Sequence, residues 1–287
     1  MKVKITMDST ADAPKEFLES YGISYLPLIV NLGDDERLDT VNITANDITE
    51  YVSKTKKLPK TAARSVEDVK EFFKQFLDEG YDEIVHISIS SELSCIYKNV
   101  VTAAFELCQD KIHIVDGKNL STGTTLLALH ASELAQSGMS GKEIAKIESR
   151  RAYNVQTSFV VDTLEYLHKG GRCSMIAMFG ANLLKLRPTL QLIDGKIVPT
   201  EKYRGKMNVV LTKYIDATLE KYNNPDKTRC FITHSNADQE MVDSLVEYVK
   251  SKNIFKEVIE TKANSTVFTH CGQGTVGILY INDGGKF

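Results

Sequence analysis

Residues 83–108 read EIVHISISSELSCIYKNVVTAAFELC. The run from Glu83 to Ile89 predicts a buried strand, and after a serine-rich turn the apolar residues recur at the spacing of an amphipathic helix. A strand that leads through a short turn into a helix is the repeating unit of α/β folds. This stretch therefore predicts an α/β protein. Its turn, SISSELS (88–94), lies where ligands bind in such folds.

The alternation of strands and helices continues on both sides of this unit. Further along the chain, Asp194-Gly195 stands between two apolar runs, a strong hairpin signal that predicts antiparallel pairing. We therefore expect two α/β domains: residues 1–152 with a doubly wound, mostly parallel sheet, and residues 153–287 with a mixed sheet. Other predicted features of the first domain are strands at 2–7 and 23–30 and helix-capping pairs at Thr44 with Asp47 and Ser65 with Asp68.

Composition excludes several classes of protein. The 287 residues carry 35 Lys and Arg against 38 Asp and Glu, a formal charge of −3, which does not suggest a nucleic-acid-binding protein. Five scattered cysteines without a C-x-x-C pair favour a reducing compartment, and no secretory signal precedes Asp8, so we expect a cytoplasmic protein. The longest apolar segment, residues 174–184, is about half of the roughly 20 residues that a membrane helix needs, so no stable membrane insertion is expected.

Three polar residues are candidates for a binding site. Ser94 lies at the amino end of a predicted helix, where backbone N–H groups favour an anion, but a serine there also serves as an ordinary helix cap. Thr61 lies in the loop LPKTAARS, and His270 precedes a glycine-rich turn in FTHCGQGTVG. A metal site of Cys95, His270 and Cys271 would lack the usual ligand pairs, so none is expected, and the motifs of nucleotide-binding loops, serine hydrolases and zinc proteases are absent from the sequence.

The segment MIAMFGANLLKLRPTL (175–190) is more apolar than a helix with one buried face requires. It could belong to an ordinary core, or it could line a cavity, and periodicity does not decide between the two. Basic residues flank it, in KGGR (169–172) and KYRGK (202–206).

Six motifs, in this order and spacing, resemble the DegV family of bacterial fatty-acid-binding proteins, of the type that serves as the B subunit of fatty acid kinase. The similarity extends over essentially the whole chain. The motifs are MDSTADAP (7–14), TAARS (61–65), SISSELSCIY (88–97), DTLEYLHKGGR (162–172), LRPTLQLIDGKIVPTEKYRGK (186–206) and HCGQGTVGI (270–278).

The resemblance implies that the chain binds one long-chain fatty acid, with no other cofactor, and presents its carboxyl group to a kinase subunit for acyl-phosphate formation. It implies carboxylate contacts from Thr61, Ser94, the backbone N–H of Cys95, and His270. Arg172 and Arg204 match basic positions that meet the kinase or the phosphate. The acyl chain would lie in the second domain, in a pocket that we expect to include Ile176, Phe179, Leu183, Leu184 and Leu190.

The sequence departs from the family pattern near the predicted carboxylate site, and its serine and histidine also allow a second function. Cys95 and Ile96 replace a glycine and a threonine of the family pattern, and TAARS brings Arg64 to the loop of Thr61, where we expect an added charge near the carboxylate. A serine and a histidine that converge on a carbonyl also describe nucleophilic catalysis. An acyl hydrolase or acyltransferase that uses Ser94 and His270 is therefore the alternative, although the sequence offers no orienting acid.

Overall fold

The computed structural model describes residues 1–173 and 187–287. Its strands, in chain order, are β1 (Val3–Asp8), β2 (Ile23–Leu26), β3 (Ile29–Leu32), β4 (Asp35–Leu38), β5 (Lys60–Ala62), β6 (Glu83–Ser88), β7 (Ile112–Asp116), β8 (Val155–Val160), β9 (Arg187–Ile193), β10 (Lys196–Tyr203), β11 (Arg229–Ser235), β12 (Glu257–Lys262) and β13 (Thr275–Ile281).

Helices separate most of these strands. Within the described residues they are α1 (Lys15–Ser20), α2 (Ala45–Thr55), α3 (Val66–Asp78), α4 (Ile96–Cys108), α5 (Thr122–Gln136), α6 (Gly141–Arg151), α7 (Glu165–Gly170), α8 (Met207–Lys221), α9 (Gln239–Ser251) and α10 (Ser265–Cys271). The predicted capping pairs at the starts of α2 and α3 are both present as reciprocal capping boxes.

The first half is built on a parallel sheet with the order β2-β1-β6-β7. Because neighbouring strand residues point to opposite faces, Ile84 belongs to the core under α3 and α4, while Val85 and Ile87 belong to the core under α5 and α6. The strand–turn–helix unit at 83–108 thus forms part of a doubly wound sheet, as predicted.

The predicted strand at 23–30 is interrupted. β2 ends at Leu26 and β3 begins at Ile29, in a separate antiparallel sheet with the order β4-β3-β5. The break falls at Pro27, which has no N–H to donate to a sheet, and the N–H of Leu28 donates instead to Ser9 Oγ at 3.0 Å. This small sheet holds Thr61 on its strand β5.

Among its described residues, the second half contains a six-stranded mixed sheet with the order β10-β9-β8-β13-β11-β12, in which only β11 and β12 pair in parallel. The Asp194-Gly195 hairpin is present between β9 and β10, with φ of 50° and 83° at its two turn residues. Positive φ at both positions matches the twist of an antiparallel pair, which explains why this dipeptide predicted the turn.

α5 lies between the two larger sheets. Its buried residues Leu126 and Leu127 share one apolar cluster with Val85 of the parallel sheet and with Phe231 and Leu279 of the mixed sheet. The predicted domain boundary falls in the short 3-10 helix Ala152–Asn154 that connects α6 to β8. Since the cores on its two sides are continuous through α5, the division into two domains stays a prediction.

Among the described helices, none combines the length and the apolar character required to cross a membrane.

Candidate functional site

A cavity of about 490 Å³ lies between the parallel and the mixed sheets. Its wall includes the loops after β1, β6 and β7, the segment around β5, and parts of β8, β11 and β13. These loops lie at the carboxyl ends of the parallel strands, where open α/β sheets bind ligands. Its apolar wall includes Leu28, Ile89, Leu93, Leu120, Phe159 and Leu279.

Thr61 and His270 meet in this wall, although 209 positions separate them in the chain. Thr61 Oγ1 lies 2.8 Å from His270 Nε2, so the two side chains share a hydrogen bond. Both residues are partly buried. The loop positions had suggested each of them separately and the family resemblance had assigned both to one carboxylate; in the structure the two side chains are in contact.

The helix that carries His270 is held at its start by a buried carboxylate. Asp39 accepts hydrogen bonds from the backbone N–H of Ser265 at 2.9 Å and of Thr266 at 3.2 Å, and from the hydroxyl of Ser9 at 2.9 Å. Asp39 is 0% exposed. Because α10 is only two turns long, these bonds fix the position from which His270 extends.

The His270 ring is neutral at physiological pH. Burial, and secondly the positive charge of Arg172, lower its pKa from 6.5 to about 4. The ring also packs closely on Gly170 at the end of α7, where a Cβ would stand 2.6 Å from Nδ1. Nδ1 has no hydrogen-bond partner among the described residues.

Ser94 lies at the start of α4 and in the wall of the cavity. Its Oγ accepts a hydrogen bond from the N–H of Ile96 at 3.2 Å, so it caps the first turn of α4. Ser94 also lines the cavity and is partly buried. Accepting one bond leaves the hydroxyl proton free, so Ser94 can donate to a ligand while it caps the helix. Cys95, the next residue, also lines the cavity and is exposed.

The two candidate arginines differ in position. Arg172 lines the cavity, and its guanidinium donates to the carbonyls of Gly170 at 2.8 Å and Leu93 at 3.3 Å. The part of the chain that the structure describes offers it no acidic partner within ion-pair distance. Arg204 is exposed in the turn between β10 and α8 and is not part of the cavity wall.

The charge expected from Arg64 does not reach the site. Its guanidinium forms an ion pair at 3.2 Å with Asp68, one turn further along α3, and Arg64 is not part of the cavity wall. The capping box that places Asp68 at the start of α3 also places its carboxylate within reach of Arg64.

The predicted acyl-chain pocket falls largely outside the described residues, since Ile176, Phe179, Leu183 and Leu184 all belong to 174–186. Leu190 lies on β9, fully buried in the apolar core beside Phe159, and is not itself part of the cavity wall. The described apolar wall comes instead from both halves of the molecule. Sequence patterns could not identify it, because strand pairing decides which faces enclose the cavity.

Polar residues deeper in the wall were also missed by sequence reasoning. Thr10, Asp12, Ser121 and Thr157 line the cavity and are buried. The first two belong to the motif MDSTADAP, which the sequence showed only as a point of family similarity.

No group of three or more His, Cys, Asp or Glu side chains arranged for a metal ion occurs within 1–173 and 187–287. Cys271 is buried whereas Cys95 is exposed, and burial raises the pKa of the Cys271 thiol to about 12, so this thiol stays protonated.

A cavity with a largely apolar wall and a few converging hydroxyl, imidazole and guanidinium groups is typical of α/β proteins that bind a small molecule. A family model for uncharacterised proteins of the DegV family matches residues 2–283. The chain therefore belongs to the DegV family.

Three similar proteins are described as binding fatty acids. A fatty acid-binding protein of Thermotoga maritima is 33% identical over 286 residues, which cover 96% of each chain. The solved structure of a DegV family protein from Thermus thermophilus, which is described as binding fatty acid, is similar to this one. The TM-score is 0.90 and the sequence identity is 26%, over 98% of this chain and 100% of that one. Bacillus subtilis DegV, described as a fatty acid binding protein, matches with a TM-score of 0.86 and 26% identity, over 99% and 100% of the two chains.

Proposed function

We propose that this protein binds one long-chain fatty acid and presents its carboxyl group to a partner kinase. The observation that carries the proposal is the hydrogen bond between Thr61 and His270 in the wall of a largely apolar cavity. Two relatives support the choice of ligand, since the proteins from Thermotoga maritima and Thermus thermophilus are described as binding fatty acids.

Hydrogen-bond donors at the Thr61–His270 pair suit a carboxylate. In the tautomer with its proton on Nε2, His270 donates to Thr61 Oγ1, and the threonine hydroxyl proton is then free to donate to a ligand oxygen. Ser94 offers a second hydroxyl proton, and the amino end of α4, at Cys95, adds backbone N–H groups that favour negative charge. Arg172 supplies a positive charge beside them.

The hydrocarbon chain supplies most of the affinity. Each buried methylene contributes roughly 0.8 kcal/mol, so about 15 methylenes contribute on the order of 12 kcal/mol before the costs of ordering the ligand. A hydrogen bond with one charged partner contributes about 1.5 to 3 kcal/mol. The tail therefore determines how tightly the ligand binds, whereas the polar groups orient it and distinguish an acid from an alcohol.

Arg172 and Arg204 suit the transfer step. In that step a carboxylate oxygen attacks the γ-phosphorus of ATP, the bond from that phosphorus to the ADP oxygen breaks, and an acyl-phosphate and ADP result. Arg172 lies at the cavity with an exposed guanidinium that can meet the transferred phosphoryl group, and Arg204 is free to contact the kinase from its surface turn. The kinase supplies ATP, because the sequence contains no nucleotide-binding motif.

The hydrolase alternative requires His270 to take a proton from Ser94. In the described residues His270 Nε2 instead bonds to Thr61, and Nδ1 faces Gly170. The pairing of nucleophile and base that would favour acyl transfer is therefore not formed.

Extraction of the purified protein with organic solvent, followed by mass spectrometry, tests the ligand directly. We expect about one fatty acid per chain. Thr61→Val and Ser94→Ala should each raise the dissociation constant for hexadecanoic acid about fivefold or more, since each removes one hydrogen bond to the carboxylate. Ser91→Ala is the matched control, because Ser91 lies on the same turn but outside the cavity wall. Extracts without fatty acid, together with no saturable binding of added hexadecanoic acid, would refute the proposal.

The kinase step is tested by adding a fatty acid kinase subunit and ATP to the protein loaded with hexadecanoic acid and measuring the acyl-phosphate and ADP that form. Arg172→Ala should reduce acyl-phosphate formation at least tenfold while the protein still retains hexadecanoic acid. Equal rates for the variant and the wild type would contradict the assignment of Arg172.

A further inference from the structure

The first residue before α5 has an unusual backbone conformation in the cavity wall. Ser121 has φ 57° and ψ −151°, a region that almost only glycine occupies. Its N–H donates to the carbonyl of Thr10 at 2.8 Å, and its side chain does not cap the helix. α5 is 15 residues long, so its amino end carries the partial positive charge of a helix dipole.

Besides Thr266 Oγ1 and His270 Nδ1, three further polar atoms in the same wall lack hydrogen-bond partners among the described residues. Thr10 Oγ1, Asp12 Oδ2 and Thr157 Oγ1 have no hydrogen-bond partner among the described residues. Each of these residues is at most 1% exposed, and all three line the cavity. Since buried polar groups in native proteins are normally hydrogen-bonded, three such atoms in one cavity wall indicate that a ligand group completes their bonding.

These atoms gather around the beginning of α5. Thr10 is tied to Ser121 by the backbone bond just described, and the Ser121 hydroxyl lies beside the carboxyl of Asp12. Thr157 Oγ1 packs against Gly123 so closely that a Cβ there would stand 2.5 Å away. We call Thr10, Asp12, Ser121 and Thr157 the inner polar cluster.

Asp12 is the one acidic member of the inner polar cluster. Burial raises the pKa of Asp12 well above its usual range, which favours the protonated acid. Of the lysines and arginines that the structure describes, only Arg172 lines the cavity, and it lies beside Gly170 and His270. A buried anion at the inner polar cluster would therefore meet only the partial positive charge at the amino end of α5 and no charged side chain of opposite sign, whereas a neutral oxygen would meet the unpartnered donors and acceptors without the cost of burying a full charge.

We propose that the inner polar cluster binds a hydroxyl group on the hydrocarbon chain of the ligand, so that the preferred ligand is a hydroxylated long-chain fatty acid. This inference rests on the proposed function, since it assigns the carboxylate to Thr61, Ser94 and His270 and a second oxygen to a separate part of the same cavity.

A positional series of monohydroxylated hexadecanoic acids, compared with hexadecanoic acid itself, tests the inference. Dissociation constants are measured by displacement of a fluorescent fatty acid. At least one isomer should bind about fivefold or more tightly than hexadecanoic acid, because it completes bonds that the unsubstituted chain leaves unmade. The position of the favoured hydroxyl then reports how far the inner polar cluster lies from the carboxylate along the chain.

Thr157→Val removes one hydroxyl of the cluster with little change of shape. It should abolish the preference for the favoured isomer, measured as the ratio of the dissociation constant of hexadecanoic acid to that of the isomer. Thr218→Val is the matched control, since Thr218 is buried on α8 outside the cavity wall, and it should keep the preference. Thermal unfolding of both variants verifies that they fold.

Two negative results are distinguishable. Hexadecanoic acid that binds well while no hydroxylated isomer binds more tightly would overturn this inference alone and would indicate that water satisfies the cluster. Failure of every acid to bind would refute the proposed function, and this inference with it.

Discussion

Gly170 allows the His270 ring to occupy its position. A Cβ at this residue would stand 2.6 Å from Nδ1, closer than any ordinary contact, so Gly170→Ala must displace the ring. We expect hexadecanoic acid to bind about tenfold or more weakly to this variant, because the Thr61–His270 pair would be misaligned. Titration of the variant against the wild type measures the effect.

Gly171→Ala provides the matched control for that prediction. Gly171 has φ +69°, so alanine is strained there, but no atom lies within 4 Å of the added Cβ. It should cost about 1 kcal/mol of stability and leave affinity unchanged. Equal loss of affinity in both variants would show that fatty acid binding depends on the backbone at the end of α7 and not on the contact between Gly170 and the His270 ring.

The neutral state of His270 predicts a pH dependence of stability. Its pKa is about 4 in the folded protein and 6.5 when unperturbed, so the unfolded chain binds more protons between these values and folding becomes less favourable as the pH falls. Between pH 7 and pH 5 the contribution is about 2 kcal/mol.

Replacement of the imidazole by an amide should remove this contribution. In denaturant titrations, the free energy of unfolding of His270→Gln should fall by about 2 kcal/mol less than that of the wild type between pH 7 and pH 5, because glutamine does not titrate. His234, whose pKa burial also lowers, is present in both proteins and cancels in the comparison. Parallel pH profiles would contradict the buried, neutral state of His270.

The start of helix α10 depends on a hydrogen-bond acceptor outside the helix, the carboxyl group of Asp39. Asp39, which follows β4, satisfies the N–H groups of Ser265 and Thr266 at the start of α10 and also the hydroxyl of Ser9. Asp39→Ala should lower the free energy of unfolding by about 3 kcal/mol, since it leaves three buried donors without their acceptor, and should also weaken fatty acid binding through His270.

Chemical denaturation measures the Asp39 effect, with Asp35→Ala as the control. Asp35 forms an exposed ion pair with Arg37, and its loss should cost well under 1 kcal/mol. Similar losses from both substitutions would mean that Asp39 does not anchor α10.

Elements with strong local signals were predictable from the sequence, while their assembly was not. The capping residues at Thr44 and Ser65 and the Asp194-Gly195 turn each carry their own hydrogen bonds or backbone preference, so short segments identified them. The break at Pro27 was missed because an apolar run on both sides imitates one continuous strand.

The candidate site was predicted only in part. Loop position and family similarity identified Thr61, Ser94 and His270 as candidates. Their location in one cavity depends on the packing of β5, α4 and α10. Thr10 and Asp12 appeared only within the family motif MDSTADAP, and Thr157 gave no signal, because a buried threonine in a strand has the same local pattern with or without a ligand beside it. Strand order and pairing, rather than sequence spacing, bring them to the cavity.

For the molecule as a whole, the shared core around α5 predicts one cooperative unfolding transition. Leu127 packs in the same apolar cluster as Val85 of the parallel sheet and Phe231 of the mixed sheet, so neither sheet can unfold without exposing the core of the other. Scanning calorimetry should show a single transition with equal calorimetric and van't Hoff enthalpies. Two resolved transitions would show that residues 1–152 and 153–287 unfold independently.

In the binding mode that we propose, donors from both halves of the chain hold a carboxylate while an apolar wall holds its tail. Calorimetric titration with hexadecanoic acid and with hexadecan-1-ol, in the wild type and in Thr61→Val, measures both parts of this binding mode. We expect one site per chain, an acid that binds at least tenfold more tightly than the alcohol, and a much smaller difference in Thr61→Val. Equal affinity for acid and alcohol in the wild type, or no saturable binding of either, would contradict it.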